Sequence, residues 1–453
     1  MDDLVNRPAL LCDLPNRPTT RPLPDGWTWT KGHSLFRWAS GKNLPQKKMQ
    51  AGHIPVFGGN GIGGFHNEPL VMHPTLVIGR VGAHCGNVHI TKGESWITDN
   101  AIYAQEISVS ISLKFAQIAF QLAKLNEQAT GSGQPFVNQR MLNEVEFLLP
   151  PLPEQERIVA EIEKQFTRLD QAVVSLRRLQ TNLSRYKASV LKAACEGRLV
   201  PQDPSDEPAE ALLQRILSER RAQWQTTHPG KKYEEPTTID TSTLPNLPKG
   251  WVWARFEQLL AELKNGHFSK APDSEPPGIP ILRISAVRPL SVDLNEPRFL
   301  REEMTSKIEN YLLENGDLLF TRYNGNLHYV GVCGVVRNLK EPMLYPDKLI
   351  RARVVSKNIN PAYLEIYFAS TFARRYIEFR AKSTAGQHGI AGGQILDSPV
   401  MLPPLAEQHR IVAEVERRLS VITTLEQTLT TNLARAERLR QSILHRAFTG
   451  QLV

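Results

Sequence analysis

One stretch of this chain occurs twice, and that repeat limits the possible fold more than any other feature. Residues 150–163 read PPLPEQERIVAEIE and residues 403–416 read PPLAEQHRIVAEVE, identical at 11 of 14 positions at an offset of 253. The same offset aligns YKASVLKAACEGRLV (186–200) with LRQSILHRAFTGQLV (439–453), so the repeated unit is about fifty residues long. Upstream, LPDGWTW (23–29) matches LPKGWVW (247–253) at an offset of 224. The segment between the two marks is therefore 29 residues longer in the second copy, the difference between 253 and 224. Each half of the chain is a variable region followed by a constant one.

The constant region has the form of a long helix. Pro150, Pro151 and Pro153 stop the preceding strand, and Glu154 and Glu156 put acidic groups in the first turn, where the helix dipole favours them. Beyond them Ile162, Leu169, Leu176, Leu183 and Val190 recur every seven residues, with Phe166 and Val173 between. The second copy supplies Val415, Ile422, Leu429, Ala436 and Ile443 in the same phase, with Leu419 and Leu433 between. This is a coiled-coil seam. Either stripe alone could be an ordinary core-facing helix face. Two matched helices of about 40 residues, each about 60 Å long, pack most simply against each other, and an antiparallel pairing puts the variable domains at opposite ends.

The predicted organisation has six parts. Residues 1–22 form an extension that matches neither copy; 23–149 are the first variable domain; 150–200 are the first coiled-coil helix. Residues 201–246 are an amphipathic helix from about Pro208 and a linker rich in Thr, Pro and Gly; 247–402 are the second variable domain; 403–453 are the second helix. Both variable domains mix short strand-like runs (TLVIGRV, EVEFLLP; IPILRIS, DLLFTR, VGVCGVV) with a helix (ISLKFAQIAFQLAKL; PAYLEIYFASTFARRYI), which predicts α+β modules. They share landmarks at an offset of 248, Cys85-Gly86 with Cys333-Gly334 and Asp99 with Asp347. A Gly-rich polar loop follows in each, ATGSGQPFVNQ and STAGQHGIAGGQ.

These loops hold residue types that read DNA: Gln and Asn bond adenine bidentately, Arg bonds guanine, and Gly admits close backbone approach. The candidate DNA contacts are Arg80, His84, Asn87, Ser132, Gln134, Asn138 and Arg140 in the first domain. In the second they are Arg322, Tyr323, Asn324, Asn326, Lys348, Gln387 and His388. Lys plus Arg exceed Asp plus Glu by 54 to 46, a net charge of +8, which suits a polyanionic partner. A further basic patch, Arg215, Arg220, Arg221, Lys231 and Lys232, is either a phosphate contact or a solvated helix face.

Catalytic equipment is not apparent. GGNGIGG (58–64) contains G-x-G-x-x-G but runs into Pro69 where a phosphate-binding helix should extend, so it reads as a turn or a base-reading loop. There is no G-x-x-x-x-G-K-[ST], and no N-P-P-[FY] or D-P-P-Y methyltransferase motif. His53, His66, His73, His84 and His89 lack metal-ligand spacing. The four cysteines, Cys12, Cys85, Cys195 and Cys333, form neither a C-x-x-C pair nor a disulfide framework. With no leader pattern at the start and no run approaching 18 apolar residues, a cytoplasmic protein without a membrane span is expected.

A variable domain, a PPL-x-EQ-x-RIVAE helix, a second variable domain and a second such helix resemble the specificity subunit of Type I restriction-modification systems along nearly the whole chain. The middle segment LLQRILSERRAQW…GKKYEEP is typical of one branch of that family. The resemblance implies two target recognition domains, each binding one half of a bipartite duplex DNA site, with the paired helices as a ruler for the spacer. It implies a chain that is itself non-catalytic and binds no cofactor. Two methylation subunits would use S-adenosylmethionine to methylate adenine N6, and restriction subunits would use ATP and Mg. Arg157, Arg168, Arg177 and Arg410, on the outward helix faces, are the candidate contacts to the methylation subunits. The alternatives are a fused or stand-alone restriction or methylation enzyme, and a coiled-coil scaffold that ignores DNA.

Overall fold

The computed structural model describes residues 23–127, 135–269, 271–384 and 386–453. The chain divides into two compact units, one of residues up to Arg177 with Thr430–Val453, the other Arg178–Leu429. Both long helices, Leu152–Cys195 and Leu405–Ala447, are therefore shared between the units.

The first unit is built on a four-stranded antiparallel sheet in the order Phe36–Ser40, Ala101–Ile107, Leu76–Gly79, Val88–Ile90. Leu76, Val77 and Ile78 are wholly buried because both faces of their strand are covered. One cover is the helix Leu113–Leu122. Ser112 caps it by accepting from the Phe115 amide, and Phe115, Ala116, Ala119 and Phe120 present one apolar face at helical spacing. Ile158, Val159 and Ile162 from the start of the first long helix, and Ile443, Ala447 and Phe448 from the end of the second, complete the same core. The two helices thus run antiparallel here, with Arg440 paired to Asp170 and lying 4.4 Å from the Phe166 ring centre.

The second unit repeats the plan. Its sheet runs Leu260–Asn265, Leu349–Val354, Leu318–Thr321, Cys333–Val335, and the first strand pair is bulged in both units, though the extra residue is Gln105 on the second strand in one and Ala261 on the first strand in the other. Val190, Leu191, Ala194 and Cys195 meet Ile411, Val412 and Val415 in its core, again antiparallel. The extra residues are spread unevenly. By strand register Ser40 corresponds to Asn265, an offset of 225, and Leu76 to Leu318, an offset of 242, so 17 of them lie between the first and third strands of the sheet. They help build the strand pairs Ile279–Ile281 with Arg298–Leu300 and Val287–Arg288 with Ser291–Val292.

Two expectations change. The run PAYLEIYFASTFARRYI is two helices, Pro361–Ala369 and Thr371–Arg380, because Ser370 stays extended and caps the second by accepting from the Ala373 amide. The Cys-Gly landmark is not a structural equivalence. Ile78 faces Val88 and Phe320 faces Cys333, so Cys333 matches Val88, while Cys85-Gly86 matches Val330-Gly331. Asp99 and Asp347 do correspond, each two residues before the equivalent Ala101 and Leu349.

The repeated Glu-Gln of the constant segment has a local explanation. Gln155, fully buried, accepts from the Ser112 amide and donates to the carbonyls of Ser110 and Pro150. Gln408, also fully buried, accepts from the Asn360 amide and donates to Pro403. Each glutamine ties a long helix to the N-cap residue of the core helix beside it.

Candidate nucleic-acid interface

In each unit the third strand of the sheet ends at an arginine. In the first unit the Arg80 amide donates to the Asn100 carbonyl (2.8 Å) and its carbonyl accepts from Val137 (2.8 Å). In the second the Arg322 amide donates to Lys348 (2.9 Å) and its carbonyl accepts from Ile390 (3.0 Å). The preceding residues, Gly79 and Thr321, are held alike: their amides donate to Asn87 and Val332, and their carbonyls accept from Gly86 and Gly331. Gly86 (φ +81°) and Gly331 (φ +62°) take the left-handed conformation that lets the chain turn back.

Around Arg80 the structure gathers His84 and Asn87, both exposed, on the short turn 82–87. Val81 pairs with Phe136 and the Gly82 amide donates to Pro135, which brings the end of the polar loop to the same edge. Ser132 and Gln134 lie outside the described residues. Arg140 is exposed on the helix Gln139–Glu144. The Gly58–Gly61 hairpin turn of GGNGIGG lies alongside, a Cβ at Gly59 coming within 3.4 Å of Gly79 Cα and 3.8 Å of His84 Cβ.

In the second domain the loops form a small sheet, Tyr323–Asn324, Gln387–Gly389 and Lys382–Thr384. Asn324 faces His388 and Tyr323 faces Gly389, where a Cβ would meet the Tyr323 ring at 2.6 Å, so only glycine lets the ring lie there. Arg322 stacks on Tyr323 at 4.8 Å and donates to the Asp347 carbonyl at 3.4 Å. Lys348 and Gln387 are exposed. Arg322, Tyr323, Lys382, Gln387 and Gln394 line a concavity of about 410 Å³.

Three asparagines accept hydrogen bonds from nearby backbone amides. The Asn138 side chain caps the helix Gln139–Glu144 by accepting from Met141. Asn324 accepts from the Asn326 amide and Asn326 from the His328 amide, local turns that engage one lone pair of each side-chain oxygen. Of the helix arginines, Arg157 and Arg168 are exposed, as is Arg177, whereas Arg410 is half-buried in a bidentate pair with Asp206. The patch on the helix Ala209–Thr227 is internally satisfied: Arg215 pairs with Glu207, Arg220 bonds the Tyr233 hydroxyl and the Leu260 carbonyl, and Arg221 pairs with Glu235. Sequence reasoning missed Asn100, the exposed equivalent of Lys348 beside the Asp99 landmark, and Lys382, an exposed lysine just ahead of the Gly-rich loop.

Among the described residues no three His, Cys, Asp or Glu side chains could share a metal ion. Cys85, Cys195 and Cys333 are free and buried, and burial pushes the Cys195 thiol up to about 12, far from a reactive thiolate. Among the described residues no helix is long and apolar enough to cross a membrane. What both edges offer is guanidinium, amide and imidazole groups at the ends of sheet strands, joined in the second by the ammonium groups of Lys348 and Lys382, the equipment for hydrogen bonding to a polyanion.

Comparison with known proteins adds the family. The profile described as the Type I restriction modification DNA specificity domain matches residues 24–173 and 248–435, once in each half. The Type I restriction enzyme EcoKI specificity subunit of Escherichia coli K12 is 34% identical over 75% of this chain and 64% of its own length. The EcoEI specificity subunit of Escherichia coli is 28% identical over 70% of this chain and 52% of its own. The chain thus spans less than two thirds of the length of these curated relatives. A chain solved in work on complex assembly and conformational transition of the type I R-M system aligns over 95% of this chain and 100% of its own at a TM-score of 0.62 and 19% identity, a likeness of fold.

Proposed function

This chain belongs to the Type I restriction modification DNA specificity family, and from that premise we propose that it reads a two-part duplex DNA target, with residues 23–149 recognising one half and residues 247–402 the other. It carries no chemistry of its own. It directs adenine-N6 methylation by two methylation subunits that use S-adenosylmethionine, and ATP- and Mg-dependent cleavage by restriction subunits. The observation that carries the reading is the recurrence, on one sheet plan, of an edge with an exposed or half-exposed arginine ringed by hydrogen-bonding side chains that differ between the copies. Two modest half-site affinities joined in one chain act through effective concentration, so the complete site is bound far more tightly than either half. The paired helices set the spacer, and Arg157, Arg168 and Arg177 face the methylation subunits.

Base reading falls to Gln387, His388, Lys348 and Lys382 in the second domain and to His84, Asn87 and the polar loop with Gln134 in the first. Mapping methylated adenines in cells that carry the chain and its methylation subunits tests this. A two-part motif is expected, and Gln387→Ala should weaken discrimination in one half-site by about 1–3 kcal/mol while sparing the other. Equal loss in both halves would sink the assignment of one domain to one half. Methylation by the purified chain alone would make it an enzyme. Failure to bind duplex DNA with methylation subunits present would leave a scaffold.

A further inference from the structure

Arg80 and Arg322 do a different task from the polar residues around them. We infer that they are sequence-independent anchors, each gripping a backbone phosphate and fixing the register from which its domain reads bases. The inference rests on the DNA-reading function proposed above and divides the labour within it.

The two arginines are fixed by the same pattern of four backbone hydrogen bonds, two at the arginine and two at the residue before it, although they lie in loops unrelated in sequence. After Arg80 the chain runs VGAHC before Gly86; after Arg322 it runs YNGNLHYV before Gly331, three residues more. Asn87 in one domain corresponds to buried Val332 in the other, and Asn100 to Lys348. Side chains that face bases must differ wherever the bases differ, and these do. A side chain kept at one position, on a backbone held the same way, serves what both half-sites share. Every duplex half-site offers the phosphodiester backbone in the same geometry whatever its sequence.

The chemistry agrees. A guanidinium presents five donors and matches phosphate oxygens bidentately. The Arg322 group lies over the Tyr323 ring at 4.8 Å, which sets its plane, and its hydrogen bond to the Asp347 carbonyl, at 3.4 Å, is long. Both arginines sit at the C-terminal end of a buried strand, the stiffest place in the domain from which a side chain can still reach solvent.

The test uses the full chain assembled with its methylation subunits, on duplexes carrying the mapped site and on duplexes with one half-site scrambled, between 50 and 200 mM salt. Arg80→Ala and Arg322→Ala should each weaken binding to cognate and scrambled duplexes by the same factor. Each should lower the slope of log Kd against log salt by about one and leave the methylated motif unchanged. Arg80→Lys and Arg322→Lys should retain the slope, since a point charge is enough at a phosphate. Unchanged hydrogen exchange at the Val137 and Ile390 amides would show that the strand ends remain folded. A motif that loosens at one base, with the lysine variants as defective as alanine, would make these residues base readers and overturn the inference. So would affinity and slope that do not change. A wild-type complex that binds no duplex DNA would instead defeat the functional reading itself, so the two failures are distinguishable.

Discussion

The two units close the same point of their cores by opposite means. In the first, Phe115 on the core helix stacks on Phe448 near the end of the second long helix, ring centres 4.9 Å apart. In the second the equivalent residues are Tyr363 and Cys195: the sulfur leaves room, and the phenol tethers itself to the Met401 carbonyl at 2.6 Å. Beside them, Gln117 donates to the Val88 carbonyl in the first unit, where buried Glu365 accepts from Val335 and pairs with Arg337 in the second. The frame of strand order and helix-tying glutamine is common, whereas the filling is traded between neighbouring residues. A fold of this kind can diversify its reading edges because its stability lies in the frame.

The largest expected effect comes from unbalancing that filling. Phe115→Ala removes one ring of the stacked pair from a fully buried site and should destabilise the first unit by about 3–5 kcal/mol. Tyr363→Phe keeps the ring and loses only the hydroxyl's bond to Met401, which should cost the second unit about 1 kcal/mol. Hydrogen exchange on the full chain, resolved by unit, separates the two. Equal losses would mean that the rings contribute nothing beyond the shared frame.

The glutamines test the frame itself. Gln155→Ala and Gln408→Ala each strand a buried helix-cap amide and at least one carbonyl, so each should cost about 2–3 kcal/mol in its own unit. Here the comparison predicts sameness. Denaturant unfolding followed by exchange in each unit should give matched losses, and a clear difference would break the equivalence of the two copies.

Much of this frame was readable in the sequence, and the reason is physical. The starts of the constant segments match at 11 of 14 positions because apolar positions packed in the core and a buried, multiply bonded glutamine accept few replacements. The α+β character, the long helices and Asp99 with Asp347 followed from pattern and offset. Equivalence inside the sheets did not, because strand register depends on backbone pairing that any apolar side chain satisfies: Leu76-Val77-Ile78 and Leu318-Leu319-Phe320 are interchangeable fillings. The Cys-Gly match was coincidence for that reason. Asn138, Asn324 and Asn326 illustrate a second limit. Asparagine caps helices and bonds adenine with the same amide, so a sequence cannot tell which partner it has.

A smaller effect separates those two partners. Asn138→Ala removes a helix N-cap and should cost the first domain about 1 kcal/mol without altering any base preference. The equivalent position is Ala391, where Gln394 instead accepts from the backbone amide, so the second domain has no such asparagine to lose. Methylome mapping of the Asn138→Ala variant checks this. A base lost from one half-site would show that the cap is a reader as well.

The smallest effect concerns the glutamate that precedes each helix-tying glutamine. Glu407 is 2% exposed, and its Oε2 accepts from the Trp251 indole at 2.9 Å. In the first unit Glu154 is only half-buried, and among the described residues the indole N–H of Trp27, the counterpart of Trp251, has no partner. Burial raises the Glu407 carboxyl above its ordinary value of 4.5; the Trp251 hydrogen bond and Arg410 oppose the rise, and Asp206 adds to it. With the folded pKa above the unfolded one, the fold binds the proton more tightly than the open chain does. That contribution is fully present below the ordinary carboxylate pKa and is lost as pH rises through the raised value. Above the raised value the second unit therefore holds a carboxylate that burial disfavours. Glu407→Gln keeps an oxygen for Trp251 and removes the charge, so at pH 7.5 it should raise the Tm of that unit. At pH 4, where the wild-type carboxyl is already protonated, the gain should vanish, and the exchange behaviour of the first unit should not move at either pH. A gain of equal size at both pH values would assign the effect to packing rather than to the buried charge, and a loss at pH 7.5 would mean that Arg410 and Trp251 more than compensate for burial.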